Sequence, residues 1–482
     1  MIASPGSHIP TDARVKIDGY RATITARGWE PRQMIRVNDV WRQDLTGLDW
    51  AKGIEKYRLE GEPLLPEERL VANLHAMAAI LDRTTVEVEA GKYHSFAEAF
   101  GVLNARLHGR AAGRYPLYLG IGLDVTERQT AEDSTLRTSS STVQIVQLRG
   151  DAAEMGRSHG EQLGEGMRSV LKQYFDKAFN LSTDGGRKLY GMALKVASGF
   201  EQYLRPEHRE EIQALAASVG IEPGQAMLGQ CFADLNPDRA CSTVSFPAAA
   251  SPDGVARLGR NLDYVTLGVL NRNSVLLVYH PKDHYAFAAI SPAPGLIGVL
   301  SGINEHGLCV AVMEVPRAFR FATAMPCMLL YRTVLENCRT VDEAVGLLRK
   351  TPRQSSNNLM IMDASGERVV AEITPDQVVV RRAKDDAALI STNHQRGNDF
   401  DSPGKCLRFD YLHDASQRQF GHITEEDVQE MLAGSAQGDF TFQSMVFEPA
   451  NRVLYLALGT GAPGHRFERI DVKKYFERPH GT

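Results

Sequence analysis

From residue 143 onward the chain reads as an α+β protein, a layered sandwich of mainly antiparallel sheets with helices on the outer faces. Three observations predict it. Helical periodicity and short β-branched runs alternate in blocks: helices to about 233, strands to 314, helices to 350, strands to 382, helices to 432, then a hairpin. The strand-like runs are bounded by Gly, Asn, Asp and Pro, the punctuation of hairpins. Residues 137–142 (Arg-Thr-Ser-Ser-Ser-Thr) have the composition of a linker, so a smaller α+β unit at 1–140 precedes the sandwich at 141–482.

In order, Val143–Leu148 reads as a strand, and Asp151-Ala152-Ala153-Glu154 opens a helix whose acidic side chains suit its orphan N–H groups. Apolar residues at 163, 167, 170, 171, 174, 175 and 178 continue it at helical spacing. A helix over 207–219 should stop at Gly220, and a short one over 225–233 leads into a loop at 234–237. Strands are expected at 255–258, 274–280, 296–300 and 308–314, then helices at 328–334 and 342–350, the latter capped from Thr340. A meander over 358–362, 369–373 and 378–382 turns at Ser365-Gly366 and Pro375-Asp376. Helices at 405–415 and 424–432 precede a hairpin of 444–447 with 453–458.

The composition narrows the function classes. With 43% hydrophobic and 23% charged residues over 482, the chain is too apolar for global disorder. A formal net charge of −5 gives no basic footprint, so nucleic acid is not an expected partner. The most apolar stretch, Tyr285–Leu300, is broken by Pro292 and Pro294, so no membrane span is expected. The opening residues, Met1-Ile2-Ala3-Ser4-Pro5, lack the basic start and apolar core of a signal peptide. Six cysteines, at 231, 241, 309, 327, 338 and 406, form no CxxC pair, which fits a reducing, cytoplasmic setting. His280, His284, His306 and His394 lack metal-ligand spacing; neither a metal nor another cofactor is expected.

Chemistry concentrates around one thiol. Ala240-Cys241-Ser242-Thr243 is followed, a hairpin later, by Gly259-Arg260-Asn261-Leu262-Asp263. Cutting the 240–241 bond would give Cys241 a free α-amine, putting nucleophile and base on one residue. A thiol at its ordinary pKa is mostly protonated near neutrality, and an adjacent amine can take that proton.

Further ordered pieces accompany it: Arg149-Gly150 through Gly156, His159 and Gly160; Asn304-Glu305-His306-Gly307-Leu308; Ser391-Thr392-Asn393-His394; and Arg408 at a helix start. With these pieces, residues 143–460 resemble the penicillin acyltransferase-like (isopenicillin N acyltransferase, C45 peptidase) family of N-terminal-nucleophile hydrolases. The resemblance implies a four-layer αββα sandwich that cuts itself into an α-part ending at Ala240 and a β-part beginning at Cys241. It makes Cys241 the nucleophile of both self-cleavage and turnover. Asp263 would orient the new amine, and Arg260 would favour the thiolate. Asn393 becomes the oxyanion donor, with Asn304 and Arg408 as further candidates. The implied substrate is a small amide or thioester whose acyl group passes through Cys241 to water or an amine, and self-association into a homo-oligomer stays open.

Three departures stand out. Ala240 replaces a common Gly, the Cys241–Asp263 stretch is longer than usual, and residues 1–140 have no counterpart in the family. Within those residues, Ile35–Asp39, Leu45-Thr46-Gly47 and Leu119–Glu132 resemble the ends of a PAS sensor domain, although the helical stretch Glu67–Leu81 is long for one. The alternative function is therefore an uncut sensory or ligand-binding protein, its PAS-like module controlling a catalytically silent sandwich.

Overall fold

The computed structural model describes residues 143–477 except 236–239, 316–323, 384–386 and 398–405, together with four early strands and residues 87 and 90–92. The early strands, Arg14–Asp18 (β1), Arg21–Thr25 (β2), Arg32–Val37 (β3) and Val40–Gln43 (β4), pair in sequence order as an antiparallel meander. Of the PAS-like segments only Ile35–Val37 falls on a described strand; Leu45-Thr46-Gly47, Leu119–Glu132 and the Glu67–Leu81 stretch lie outside the described residues.

The sandwich begins with Ile145–Gly150 (β5) and a long helix, Ala152–Phe179 (α1), opened by a reciprocal capping box between Asp151 and Glu154. The helix Asp184–Gly199 (α2) was not foreseen from the sequence. Its Gly-rich start hides the periodicity, and of its residues only Gly186 and Ala197 are buried. Pro206–Val219 (α3) stops at Gly220, whose φ of +73° is the left-handed conformation expected there. Pro223–Gln230 (α4) and the single turn Phe232–Leu235 (α5) follow. Gly156 and Gly160 of α1 have packing roles: a Cβ on either would come within 2.4 Å of Glu211 O or 2.6 Å of Ser218.

Beyond the thiol come Ala240–Phe246 (β6), Arg257–Asp263 (β7), Val275–Pro281 (β8), Phe287–Ser291 (β9), Ser301–Asn304 (β10) and Cys309–Glu314 (β11). The strand expected at 296–300 is absent; β9 and β10 lie on either side of it. Pro292 and Pro294 supply no ladder donors, and at Gly298 the chain passes so close to Met328 that a Cβ would come within 2.5 Å. Helices Cys327–Asn337 (α6) and Val341–Lys350 (α7) lead to the foreseen meander, Asn357–Met362 (β12), Arg368–Ile373 (β13) and Val378–Arg382 (β14). Leu389–Ser391 (β15), helices Leu407–Gln419 (α8) and Glu425–Gly434 (α9), and strands Thr441–Glu448 (β16), Val453–Leu458 (β17) and Glu468–Asp471 (β18) complete it.

Two sheets result. One runs β14-β13-β12-β11-β10-β9-β8-β5, antiparallel except for the parallel β8–β5 pair; the other runs β15-β6-β7-β16-β17-β18, antiparallel throughout. Helices α1, α6 and α7 cover the first, and α8 and α9 cover the second. This is the αββα arrangement expected. The main core fills the space between the sheets and beneath the first helical layer, while Val244, Phe246, Leu412, Val428 and Leu432 form a second cluster under α8 and α9.

Strand alternation fixes what each layer receives. On β6, Val244 and Phe246 face the outer helices, and Ser242 reaches Ser435 there at 3.2 Å. Cys241 and Ser245 therefore turn toward the opposing sheet, where Ser245 Oγ meets Met360 Sδ at 3.5 Å.

Candidate active site

Strands β6 and β7 pair with Cys241 directly opposite Leu262 and Ala240 opposite Asp263. Arg260 shares the inter-sheet face with Cys241, whereas Asp263 has the opposite parity and points toward α8. The guanidinium and the carboxylate thus reach Cys241 from different sides of one strand.

On the thiol side, Arg260 Nη2 lies 3.8 Å from Cys241 Sγ and donates to Val312 O at 2.7 Å, tying the guanidinium to β11. Arg260 is fully buried and Cys241 is 1% exposed. The guanidinium thus sets a fixed positive charge beside a buried sulfur. On the backbone side, Cys241 N donates to Asn393 Oδ1 at 2.8 Å, and Cys241 O accepts from Arg408 Nη1 at 2.7 Å. Arg408 Nη2 also reaches Asn393 Oδ1 at 3.0 Å, and its Nη1 stands 3.6 Å from Asp263 Oδ2. Asp263 Oδ1 accepts from the Thr441 hydroxyl. Burial pushes the Asp263 carboxyl up to about 6, with Arg408, Thr441 and Arg260 pulling the other way.

Five of the six site residues expected from sequence therefore meet: Cys241, Arg260, Asp263, Asn393 and Arg408. Asn304 does not join them. Its Nδ2 donates to Leu335 O (2.9 Å) and Cys338 O (2.7 Å) in the helical layer, and its Oδ1 accepts from His306 N and Leu308 N. That is a turn clamp, and it occupies the whole amide. Asn393 is in place but presents its oxygen to Cys241, while Nδ2 donates to Glu314 O at 2.7 Å. In this state it anchors a nitrogen rather than donating to an oxyanion.

The sequence reading missed the supports. Asn358 Nδ2 donates to Thr392 O and His394 O, both at 2.9 Å, and the buried Glu372 accepts from Arg396 N and Gly397 N; together they hold the turn that carries Asn393. Glu314 and Asn357 line a cavity of about 10 Å³ beside Cys241 and Arg260, room for about one water. A carboxylate ending the apolar run 308–314 was the available signal for Glu314. His159, quoted for its motif, meets Pro294 O through Nε2 and clamps the 292–296 loop; burial holds its pKa down to about 4, so it is neutral. Among the described residues no three His, Cys, Asp or Glu side chains gather as a metal site, no disulfide links the buried cysteines, and no helix is long and apolar enough to cross a membrane.

The buried Cys241 thiol thus faces Arg260 on the inner side of an αββα sandwich, while its carbonyl oxygen faces Arg408. The family model described as "Acyl-coenzyme A:6-aminopenicillanic acid acyl-transferase" matches residues 250–462, a span that includes Arg260, Asp263, Asn393 and Arg408 and begins nine residues after Cys241. Over that span the chain is similar to this acyl-transferase family, in agreement with the resemblance read from its motifs. Similar curated proteins are an uncharacterized protein of Archaeoglobus fulgidus, 23% identical over 49% of this chain and 44% of its own, and protein dcd1B of Dictyostelium discoideum, 26% identical over 51% and 53%. The chain thus spans about half the length of the curated relatives it matches. Similar solved structures include a mutant conjugated bile acid hydrolase from Clostridium perfringens (15% identity, 48% of this chain, 93% of that chain, TM-score 0.38). Others are the N-acylethanolamine-hydrolyzing acid amidase ortholog of Caenorhabditis elegans (20%, 44%, 93%, 0.34) and penicillin V acylase from Agrobacterium tumefaciens (15%, 45%, 82%, 0.34).

Proposed function

We propose that the chain is a self-processing cysteine amidohydrolase or acyltransferase with Cys241 as its nucleophile. The domains on this reading are an appendage at 1–140 and a catalytic sandwich at 141–482, cut after residue 240. One observation carries it: the sulfur, nitrogen and carbonyl oxygen of Cys241 are each held by a residue from the ordered motifs. Sγ faces Arg260, N faces Asn393 and O faces Arg408.

In self-cleavage the Cys241 thiol adds to the Ala240 carbonyl carbon, its proton passes to the departing nitrogen, the C–N bond breaks, and the nitrogen leaves as the α-amine. Water then hydrolyses the thioester, giving an Ala240 carboxylate and a free thiol. In turnover that amine takes the thiol proton. Its ordinary pKa of ~7.7–8.0 leaves a usable neutral fraction near neutrality. The thiolate attacks the substrate acyl carbon, and the leaving amine takes the proton. Water or a second amine resolves the acyl-enzyme. Asn393 anchors the amine and supplies N–H to the developing oxyanion, Asp263 and Arg408 hold the N-terminus, and Arg260 stabilises the thiolate.

Intact-mass analysis of the purified protein tests this directly. The expected result is a fragment beginning at Cys241 in the wild type and a single uncut chain in Cys241→Ala. Candidate small amides or thioesters should then leave an acyl adduct on Cys241. An active wild-type protein in which residues 240 and 241 remain joined would overturn the mechanism.

A further inference from the structure

Beside the thiol cavity lies a larger one of about 60 Å³, with Met167, Leu171, Gly229, Phe232, Leu270 and Leu296 among its walls. Among the described residues, no charged side chain lines it. The polar atoms at its rim already have partners: Tyr174 Oη donates to Tyr264 Oη at 3.0 Å, and Gln225 bonds Tyr190 Oη (3.1 Å) and Glu222 N (3.3 Å). Its surface is therefore carbon, and such a space favours an apolar occupant over water.

One turn of chain separates the two cavities. Phe232 lines the apolar one, and its neighbour Ala233 lines the thiol cavity. The Phe232 ring packs edge-on against Tyr264, at 5.2 Å, and Tyr174, at 5.6 Å; Tyr264 directly follows Asp263. Leu296 and Leu300 divide between the cavities in the same way. The partition is pinned by Asp234, which accepts from Cys327 N at 3.1 Å and from Gln354 Nε2 at 3.2 Å. Its last residue, Leu235, lies only five positions before Ala240, so the cut assigned above would release the strand end to which this turn is joined.

We propose that this cavity receives the acyl chain of the substrate, an unbranched apolar acyl group, and that Phe232 sets the chain length accepted. The inference rests on Cys241 as the acyl carrier. With the acyl carbon on Sγ, the chain runs past Ala233 and over the Phe232 ring into the apolar space. Each methylene buried there is worth about fourfold in binding.

The test compares N-acetyl, N-hexanoyl and N-dodecanoyl 4-nitroanilides on processed wild type, Leu171→Trp and Phe232→Ala, with thermal unfolding to verify folding. Leu171 is only half-buried, so its variant carries the test if Phe232→Ala does not fold. Wild type should favour hexanoyl over acetyl in kcat/KM by at least about tenfold. Leu171→Trp should cut that preference below about threefold, and Phe232→Ala should move it toward dodecanoyl. An identical chain-length profile in all folded variants would overturn the proposal. Calorimetric binding of hexanoate, which holds no cleavable amide, to the purified wild type and to Leu171→Trp separates this from the nucleophile assignment. Binding lost with Leu171→Trp upholds the pocket even if no adduct forms on Cys241, and binding unchanged by it overturns the pocket whatever Cys241 does.

Discussion

Two arginines, Arg332 and Arg260, are equally buried and oppositely wired. Arg332, between the first helical layer and its sheet, makes a bidentate pair with Glu211 (2.9 and 2.7 Å), bonds Glu336 at 2.7 Å and lies 4.6 Å over the Tyr279 ring. Burial pushes the Glu336 carboxyl up, but Arg332 and His208 outweigh it and hold that carboxyl well below the usual range. There two carboxylates surround one guanidinium. Around Cys241, Arg260 instead meets a sulfur and a carbonyl oxygen, and Arg408 a carbonyl oxygen and an amide oxygen. Asp263 Oδ2 accepts no hydrogen bond among the described residues, and its carboxyl is raised to about 6, with burial the largest cause. The first cluster is closed on itself. On the proposed reading, the second places its guanidinium groups on the sulfur and carbonyl of the nucleophile, where a structural ion pair would place them on carboxylates.

Four experiments press on that contrast. Cys241→Ala should reduce turnover by at least about 10³-fold and abolish the cut, read by steady-state kinetics and intact mass. Arg332→Met strands Glu211 and leaves Glu336 with His208 alone. It should cost about 3–5 kcal/mol in urea unfolding while the folded fraction keeps kcat within about twofold; a loss of kcat like that of a site variant would erase the distinction. Asn393→Ala should lower kcat by about 10²-fold, with a smaller change in KM.

For Asp263→Asn the sign of the effect is diagnostic. The folded pKa of about 6 exceeds the ordinary value of 3.8, so the native state binds more protons between those pH values. Stability from this group therefore falls as pH rises from about 4 to 6, and the deficit persists above. The variant should be more stable than wild type at pH 8 by up to about 3 kcal/mol, converging with it below pH ~4, and should lose activity. Equal stability at both pH values would contradict a strained carboxylate. Wild-type activity should decline as pH drops through about 6.

Much of this architecture was legible beforehand, for local reasons. Asp151 and Gly220 mark their helix ends by capping chemistry, and the meander β12–β14 declares itself by alternation and turns. Helix α2 was not legible, because it buries so little of its surface that its pattern carries little constraint. The false strand at 296–300 came from reading apolarity without weighing the prolines. At the site, the residues that converge on Cys241 were recognisable as ordered motifs. Asn304 was not separable from them, since an Asn before a Gly turn looks alike whether it clamps loops or meets substrate. Glu314, Asn358, Glu372 and Thr441 act across 24 to 178 positions of sequence, and nothing local announces such partners.

Strand β5 precedes the proposed scission and β8 follows it, yet the two are zipped in parallel from Ile145–Leu276 to Gly150–Pro281. Neither fragment alone owns a finished eight-stranded sheet; the seam belongs to both. On the proposed reading scission would accordingly follow collapse, because a 241–482 fragment made separately would leave the β8 ladder edge open.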